Sequence, residues 1–407
     1  MGANPGTGAD VWLTYLYGLI GAVAFIVALL LSVVLHEAGH LLTAKRFGMK
    51  ASQFFAGFGA TLWSTRRGET EYGVKAIPLG GFVKIVGYTP LEKVDPADEP
   101  RAFYRQPALR RAVVIVAGVV MNLVLTFLLL IGLAAGVGIP SDSAATTVVR
   151  RVSPCVSAAD VCTARDPVSP SKKAGLRPRD RVVSFGGRPV GDWNQLSAAI
   201  RAAKPGTTVP VVVQRHGATL TLPATVADLG GSGYFGLEPI ASTRRLGPVR
   251  SVRFAGRFMG DMTVTIGKVV ADIPHAIPKL FGHDRASTPG GQAGSIVGGA
   301  EASGQVFSSS DTWRDKFTSF ILLIASLNLF VALLNLVPLL PLDGGHLAVV
   351  VYERLKALVF RLRGRPDPGP VDMTKLMPLT YVAVTVLVGL GVLLILADVL
   401  NPIKVPQ

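Results

Sequence analysis

The stretch that decides the fold is residues 11–41, which read VWLTYLYGLIGAVAFIVALLLSVVLHEAGHL. From Val11 to Leu35 it carries no charged side chain, and as an α-helix it can cross the ~30 Å hydrocarbon core of a bilayer. Two histidines and a glutamate follow directly on this apolar run. Such side chains are costly near lipid unless a function or a partner compensates them. The stretch therefore predicts a membrane span that ends in a functional site.

The composition also favours a membrane protein. Of the 407 residues, 49% are hydrophobic and only 16% are charged, which is unusual for a water-soluble fold. Three further runs lack charged side chains and have the length of a spanning helix: Ala112–Ser141, Phe317–Leu342 and Leu376–Ala397. We therefore expect four transmembrane helices. The first should stay in the mature protein, because it is too long for a signal-peptide core and no small-residue cleavage site follows it.

Lysine and arginine are distributed unequally between the two sides of the predicted spans. The tail before Trp12 has none, whereas the loop after the first span and the connection between the last two are basic. Because basic loops are retained in the cytoplasm, we expect both termini and residues 142–316 to be extracytoplasmic, with the active site toward the cytoplasm. The net charge of +15 then lies largely in cytoplasmic flanks that contact anionic lipid, and we expect no nucleic acid partner.

Cys155 and Cys162 are the only cysteines, and both fall in the segment expected outside. A disulfide can persist in that compartment, but two free thiols fit the sequence equally well. Their spacing does not indicate a metal site, and whether they pair stays open.

His36, Glu37 and His40 form the pattern His-Glu-x-x-His. On a helix the two histidines lie on one face and can bind one Zn²⁺, with Glu37 beside them as a general base. So short a pattern can arise by chance, but its place at the end of an apolar span argues against that. We expect one Zn²⁺ per chain.

A catalytic zinc keeps three protein ligands and one open position, so a third ligand must come from elsewhere. The candidate is Asp343, in NLVPLLPLDGGH at 335–346. The first and third spans both run from outside to inside, so their C-terminal ends lie at the same membrane face and Asp343 can meet His36 and His40. His346 is the rival ligand, although it can equally be a partner of a ligand or a solvated residue. We prefer Asp343.

Together these motifs resemble the site-2 protease family of intramembrane zinc metalloproteases, in its bacterial, PDZ-containing, anti-sigma-factor-cleaving type. The resemblance rests on His-Glu-x-x-His, on Asn-x-x-Pro and Leu-Asp-Gly-Gly at 335–345, and on GVVMN at 118–122, and it covers most of the chain. It implies that Glu37 is catalytic and that the three candidate ligands hold the metal. The supporting residues that it implies are Gly118, Asn122, Pro338 and Gly344.

The loop after the first span contains Gly57-Phe58-Gly59 and then VKAIPLGGFVK at 74–84. This is similar to the family's membrane-dipping β-hairpin, which contacts the substrate. Adjacent glycines permit a tight turn, and the segment is suited to pairing with an extended substrate strand. The substrate-binding residues that the resemblance implies are Asn335, Gly80, Gly81, Phe82 and Val83.

The implied function is proteolysis of single-span membrane proteins within the bilayer, anti-sigma factors that have already been cut outside being the expected substrates. A substrate helix hides its carbonyls in hydrogen bonds, so it must unwind locally before attack. The alternative function is a membrane scaffold or adaptor with a PDZ module and a structural or vestigial metal site. A scaffold has no need for Glu37 beside two ligating histidines, and we therefore prefer the enzyme.

Residues 142–240 are expected to form a separate α+β domain. Strand-like runs at 147–150, 181–185, 209–214 and 219–222 alternate with one helical stretch at 193–203 and with Gly/Pro turns. The run AGLRPRDRVV at 174–183 is similar to a bacterial PDZ domain, although Arg179 stands where such domains usually have glycine. Either a loop that binds a peptide C-terminus or a plain edge strand is predicted at Tyr234, Phe235, Gly236 and Leu237. A size filter that blocks intact substrates is the alternative role of the domain.

The expected fold is an α-helical polytopic membrane protein with four transmembrane helices, a membrane-associated β-hairpin and an inserted extracytoplasmic PDZ-like α+β domain. Residues 249–281 alternate apolar and basic positions, as helices on a membrane surface do, and 288–310 are rich in glycine and serine, as linkers are. The expected order is span one at 1–45, the hairpin loop at 46–110, span two at 111–141, the PDZ-like domain at 142–240, interfacial helices and linker at 241–316, span three at 317–345, a basic loop at 346–375 and span four at 376–407.

Overall fold

The fold is that of a computed structural model, which describes residues 8–88, 92–141, 146–157, 162, 166–240, 242–282, 285, 294–309, 311–366, 369 and 371–402. The α-helices are α1 (Gly8–Arg46), α2 (Ala108–Gly132), α3 (Pro170–Lys173), α4 (Trp193–Ala202), α5 (Pro248–Ala276), α6 (Ile296–Ser308), α7 (Trp313–Asn335), α8 (Asp343–Leu362) and α9 (Met377–Leu400). The strands are β1 (Ala51–Arg67), β2 (Thr70–Ile85), β3 (Ile139–Ser141), β4 (Val149–Val152), β5 (Arg181–Phe185), β6 (Arg188–Pro189), β7 (Thr208–Arg215), β8 (Ala218–Thr225), β9 (Ala227–Leu229), β10 (Ser232–Tyr234), β11 (Leu237–Pro239) and β12 (Ser242–Arg244).

The chain forms two compact units. The first contains the residues up to Ile131 and from Val252 onward, and the second contains Gly132–Ser251. Among the described residues, four helical stretches are long and apolar enough to cross a membrane: Trp12–Arg46, Ala108–Val137, Trp313–Asn335 and Thr374–Leu400. The prediction of four spans is confirmed, and the protein is a multi-pass membrane protein.

The third span ends earlier than its apolar run predicts. Helix α7 stops at Asn335 rather than at Leu342, because Pro338 and Pro341 cannot continue a helix. Asp343 therefore does not belong to span three, which was predicted to run to residue 345, but is the first residue of α8. The short turn between α7 and α8 places this carboxylate at a helix N-terminus.

Strands β1 and β2 form the predicted antiparallel hairpin, but both strands bend and β1 pairs twice. Residues 53–56 pair on one side with 71–74 and on the other with 81–84, while 61–67 pair with 70–75. The hairpin is thus a sheet of four strand segments. On its outer side, the 81–84 segment pairs with no other strand of the part of the chain that the structure describes. This segment is an open edge.

Helix α6 occupies most of the stretch that was predicted to be a linker, so that prediction was wrong for residues 296–308, while 288–293 lie outside the described residues. α6 packs along the N-terminal half of span one. A Cβ at Gly21 would lie 2.5 Å from the carbonyl oxygen of Ser303, and one at Gly299 would collide with the ring of Phe25. The small residues provide close helix packing, as they do in membrane helices, instead of flexibility.

Side chains from other helices satisfy both ends of α6. At its start, Asp398 of α9 accepts a hydrogen bond from the Ser295 amide at 2.6 Å and is also paired with the buried Arg285. At its end, the ammonium group of Lys316 on α7 donates to the carbonyl oxygen of Phe307 at 2.6 Å. An acid at the N-terminus and a lysine at the C-terminus also match the helix dipole.

Helix α5 is one continuous helix where several interfacial helices were predicted. Its apolar face, with Phe254, Ala255 and Phe258, packs against Leu130 of span two and Ala325 of span three. This face is therefore covered by the spans of the first unit.

The second unit is an α+β fold built on a four-stranded sheet with the order β6-β5-β7-β8. The runs predicted as strands at 147–150, 181–185, 209–214 and 219–222 coincide with β4, β5, β7 and β8 or overlap them. Helix α4 buries Leu196 and Ile200 in the core of this unit. Cys155 and Cys162 form a disulfide, which answers the question that the sequence left open.

Arg179 adopts a left-handed backbone, with φ of +72°, at the position where the PDZ resemblance has glycine. The turn therefore keeps the left-handed backbone that glycine would adopt there, although this backbone is strained for a residue with a side chain.

Candidate metal centre

The structure brings together His36, His40 and Asp343. The Nε2 atoms of the two histidines are 3.2 Å apart, and the Oδ2 atom of Asp343 lies 3.1 Å from His36 Nε2 and 3.4 Å from His40 Nε2. It is the one group of three potential metal ligands found among the described residues. The convergence that the topology predicted is therefore present, although Asp343 arrives from α8.

The spacing of these three atoms fits a zinc ion. Tetrahedral zinc with bonds of about 2.0–2.1 Å holds its ligand atoms about 3.3 Å apart, and the three separations here are 3.1, 3.2 and 3.4 Å. Both histidines are only 6% exposed. The donor set of two imidazoles and one carboxylate leaves a fourth position free, as catalytic zinc sites do.

Hydrogen bonding indicates that the group is arranged for a cation. The Nδ1 atom of His40 lies 2.7 Å from the carbonyl oxygen of Val114, and since a carbonyl only accepts, Nδ1 carries the proton and a neutral His40 points the lone pair of Nε2 at Asp343. Within the described residues, the buried Oδ2 of Asp343 has no hydrogen-bond partner. Acceptors facing one another without a donor are unfavourable, and a metal ion removes that cost.

Helices α1 and α2 approach each other closely beside the ligand atoms, and glycines make this approach possible. A Cβ at Gly118 would lie 2.7 Å from His36 Nε2 and closer still to His40 Nε2, and one at Gly39 would lie 2.6 Å from the carbonyl oxygen of Ala117. Gly118, which the resemblance placed in a supporting role, thus leaves the space next to the ligand atoms. Any larger residue there would displace the imidazoles.

Glu37 is linked to the edge of the β-sheet. Its Oε2 atom accepts a hydrogen bond from the amide of Val83 at 3.0 Å. Because Val83 donates away from β1, and because backbone direction alternates along a strand, the N–H and C=O of Gly81 also face outward from the sheet. The open edge and the carboxylate of Glu37 therefore lie side by side.

The other predicted substrate-binding residues of the hairpin surround this edge. Gly80 has a φ of +139°, which only glycine adopts readily, and Phe58 leaves no space for a Cβ there. The ring of Phe82 stacks on those of Phe55 and Phe58, with centroids 5.6 and 6.2 Å apart. These contacts fix the conformation of the bend at Gly80, next to the edge.

The turn that carries Asp343 needs both glycines that follow it. A Cβ at Gly344 would collide with the carbonyl oxygen of Leu336, and one at Gly345 would lie 2.5 Å from the amide nitrogen of Leu340. Asn335 ends α7 beside this turn and is half-buried, and Pro338 is exposed within it.

His346, the rival ligand, is not part of the group of three. Its ring packs against that of Tyr88, with centroids 4.7 Å apart. His346 lies one helical turn further along α8 than Asp343. Its side chain therefore contacts Tyr88, just after β2, instead of the two other histidines. Neither Tyr88 nor the carbonyl of Val114 had a signal in the sequence that pointed to this site.

Two fully buried asparagines lie inside the spans of the described part of the chain. Asn122, predicted as a supporting residue, is completely buried in α2, and neither of its amide atoms has a hydrogen-bond partner within the described residues. Asn328 on α7, which the sequence reasoning missed, donates to the hydroxyl of Ser32 on α1 at 3.0 Å. A polar residue in an otherwise apolar span was the available signal for this second contact.

The loop predicted to bind peptides lies in the second unit and is largely internal. Phe235 is 1% exposed and belongs to the core, and Leu237 pairs with Val152. Gly236 has a φ of +79°, and its carbonyl accepts a hydrogen bond from the Ser153 amide at 2.8 Å. Tyr234 and Leu237 are half-buried, whereas the side chain of Phe235 is buried in the core and is not offered to a ligand.

Comparison with known proteins agrees with this site. The chain matches the family described as Peptidase family M50 over residues 24–364. It is 38% identical over 424 residues to the zinc metalloprotease Rip1 of Mycobacterium tuberculosis, an alignment that covers 95% of this chain and 99% of that protein. It is 36% identical over 419 residues to Rip1 of Mycolicibacterium smegmatis, with 95% and 99% covered.

The four spans and the buried His-His-Asp group define a metalloenzyme of the membrane. The chain belongs to peptidase family M50, the site-2 proteases, and it is a zinc metalloprotease.

Proposed function

We propose that this zinc metalloprotease cleaves single-span membrane proteins inside the bilayer, with His36, His40 and Asp343 holding the zinc and Glu37 acting as the general base. The observation that carries the proposal is the convergence of the three ligand atoms at 3.1–3.4 Å within the unit that contains the spans. A protease whose site lies on its own membrane helices acts on chains that share the membrane.

Each residue has a distinct role in this proposal. When bound, Zn²⁺ supplies a Lewis acid that polarises a peptide carbonyl and activates water. Glu37 takes a proton from the attacking water and passes it to the leaving amine. The Val83 amide orients the carboxylate of Glu37 through its hydrogen bond of 3.0 Å. Val114 fixes the tautomer of His40, and this leaves Nε2 free to bind metal.

The open edge at 81–84 is the proposed substrate platform. An extended peptide can add to a sheet edge through backbone hydrogen bonds, and the outward-facing groups of Gly81 lie next to Glu37 on this edge. The substrate helix must unwind to pair in this way, which also frees the carbonyl that is to be attacked. Asn335, half-buried at the end of α7, is the proposed contact for the substrate backbone on the other side.

The proposed orientation places this site toward the cytoplasm, with both termini and the second unit outside. Its support is the basic character of the loops that follow spans one and three. We further propose that the second unit is a PDZ-like domain that selects chains already shortened outside, and that anti-sigma factors are the substrates. Its four-stranded sheet, the packing of α4 and the left-handed turn at Arg179 support the PDZ-like assignment.

Replacement of Glu37 by Gln tests the proposal. The variant should keep the fold and one zinc per chain, but cleavage of a tethered single-span reporter should fall by about 10²–10⁴-fold, because the general base is lost. Zinc is measured by mass spectrometry on the purified protein, and cleavage is measured after co-expression. Comparing the membrane proteomes of cells with the two forms then identifies the natural substrates.

A matched control is Glu301→Gln, since Glu301 is a half-buried acid on α6, away from the metal ligands. This variant should cleave at the normal rate. Full activity of Glu37→Gln would remove Glu37 from the mechanism, and loss of its zinc would show that Glu37 acts on the metal site instead.

A further inference from the structure

Helix α8 follows the metal site and has a face that is fixed to the protein. Val350 and Glu353 are buried on this face. Glu353 accepts a hydrogen bond from Arg111 at 2.6 Å and another from the Val371 amide at 2.9 Å. α8 is therefore anchored to span two and to the segment before α9, and its rotation about its own axis is set.

The opposite face of α8 is apolar and open. At 3.6 residues per turn, six large apolar residues fall within an arc of about 120°, and each is between 41% and 78% exposed: Val351, Tyr352, Leu355, Leu358, Val359 and Leu362. A soluble helix turns its apolar stripe inward. Here the inward face is already occupied, so the exposed stripe needs another apolar environment.

Basic side chains line both borders of this stripe. Arg354 and Arg361 lie along one border, and Lys356 and Arg363 lie along the other, as the same helical spacing places them. None of the four forms an ion pair within the described part of the chain. The acidic residues of α8 are Asp343 and Glu353, and both face inward. A stripe of apolar residues between two rows of positive charge matches an anionic lipid surface.

The place of α8 in the chain sets it at that surface. It connects the end of span three to the beginning of span four, so both of its ends are tied to the same side of the bilayer. A cleft of about 430 Å³ opens beside the stripe and is lined by Leu340, Ala348, Val349, Tyr352, Leu376 and Leu379. It lies between α8, the turn before Asp343 and the start of α9, and its walls are apolar.

We propose that α8 is an interfacial helix that binds anionic phospholipid. Its apolar stripe lies among the acyl chains, its arginines and lysine contact lipid phosphates, and one acyl chain occupies the cleft. Because α8 begins at Asp343, this lipid also supports the helix that delivers the carboxylate. A second copy of the chain or a soluble protein would not require basic residues on both borders of the stripe.

The test uses the full chain reconstituted into phosphatidylcholine vesicles, with and without phosphatidylglycerol. A spin label is attached at Leu355→Cys, and since the native cysteines are paired, it reports a single position. We expect the label to be accessible to oxygen and shielded from a water-soluble nickel complex. Lys204→Cys, at an exposed position of the second unit, serves as the aqueous control.

Binding of a fluorescent phosphatidylglycerol provides the second readout. Replacing Arg354, Arg361 and Arg363 by Gln should weaken it by about fivefold for each charge removed, while replacing Arg188, Arg201 and Lys204 by Gln should leave it unchanged. A label at Leu355 as accessible to nickel as the control would overturn the proposal. So would a label shielded from both reagents, which indicates a protein partner, or equal lipid binding by the two triple variants.

Discussion

Two clusters of buried polar side chains in the described part of the first unit, the Arg285 cluster and the metal centre, differ in how their hydrogen-bonding groups are matched. In the Arg285 cluster, Asp398 is paired with Arg285, and each is only 2% exposed. Asp398 also accepts hydrogen bonds from the amide and the hydroxyl of Ser295, both at 2.6 Å. In the metal centre, by contrast, Nε2 of His40 and the carboxylate of Asp343 turn acceptors toward one point.

This comparison separates a structural cluster from a binding site. Both groups are buried among apolar helices, so burial and charge alone do not tell them apart. Donors and acceptors balance in the Arg285 cluster, which therefore needs no ligand to be stable. In the metal centre, the buried Oδ2 of Asp343 has no hydrogen-bond partner among the described residues, and a cation is the group that completes it.

The largest expected effect is the loss of the metal from Asp343→Asn. An amide is a poor ligand for zinc, and we expect zinc affinity to fall by more than the 10–100-fold that is typical for partners of a ligand. Zinc per chain, measured by mass spectrometry after dialysis, reports this directly. Asp398→Asn should retain its zinc, and equal zinc content in the two variants would erase the distinction between the clusters.

Asp398→Asn should instead reduce stability. Removing one partner of a buried ion pair leaves the other uncompensated, and we expect the free energy of unfolding to fall by about 3–5 kcal/mol. Denaturant titration in detergent micelles measures it. The double variant Arg285→Met/Asp398→Leu should recover part of the loss, and the absence of any recovery would mean that the pair itself is not what stabilises this region.

Gly118→Ala tests the space beside the ligand atoms. The added methyl group would contact both imidazoles, so zinc affinity should fall by about tenfold or more, as it does when partners of a ligand are disturbed. Gly132→Ala is the matched control, since a Cβ there meets no atom within 4 Å. If both variants bind zinc alike, then the metal centre tolerates displacement and is less tightly defined than its geometry suggests.

The smallest effect concerns the ion pair between Asp180 and Arg215, which lies in the second unit. Burial raises the pKa of Asp180, but the hydrogen bonds from Arg215 and from the Arg177 amide, together with the charges of these two arginines, outweigh burial and lower that pKa below its ordinary value. Because the pKa is lowered in the folded state, the pair stabilises the fold at pH values above the ordinary pKa of an aspartate. This stability is lost as the pH falls through the pKa of the folded state. Fluorescence of Trp193 during acid titration should show this loss, and Asp180→Asn should remove that part of the pH dependence.

The spans and the metal ligands could be predicted because each depends on a local pattern. A long apolar run has few alternatives to a membrane helix, and His36 and His40 share a helix face by their spacing alone. Asp343 followed from the common direction of spans one and three. What places Asp343 and not His346 beside the two other histidines is a feature of the structure. The turn at Pro338 makes Asp343 the first residue of α8 and directs His346 toward Tyr88.

The errors arose where packing decided the structure. Glycine and serine predicted flexibility at 288–310, but in α6 they let the helix approach Phe25 and Ser303 approach Gly21, a tertiary effect that composition does not show. The double pairing of β1 depends on bends that no alternation pattern reveals. In the second unit, the Phe235 loop resembled a binding loop because a buried aromatic and an exposed one read alike in a sequence.

The hydrogen-bonded ends of α6 show how a helix that is too short to cross a bilayer can lie among membrane spans. With 13 residues, α6 is about 20 Å long and too short to reach from one side of a bilayer to the other. A helix of this length would normally leave unsatisfied N–H and C=O groups at its ends in the hydrocarbon core, where each costs several kcal/mol. Asp398 and Lys316 take the place that water has at the ends of a soluble helix. A short helix can therefore lie among membrane spans when side chains of its neighbours, together with its own flanking serines, supply partners for its terminal peptide groups.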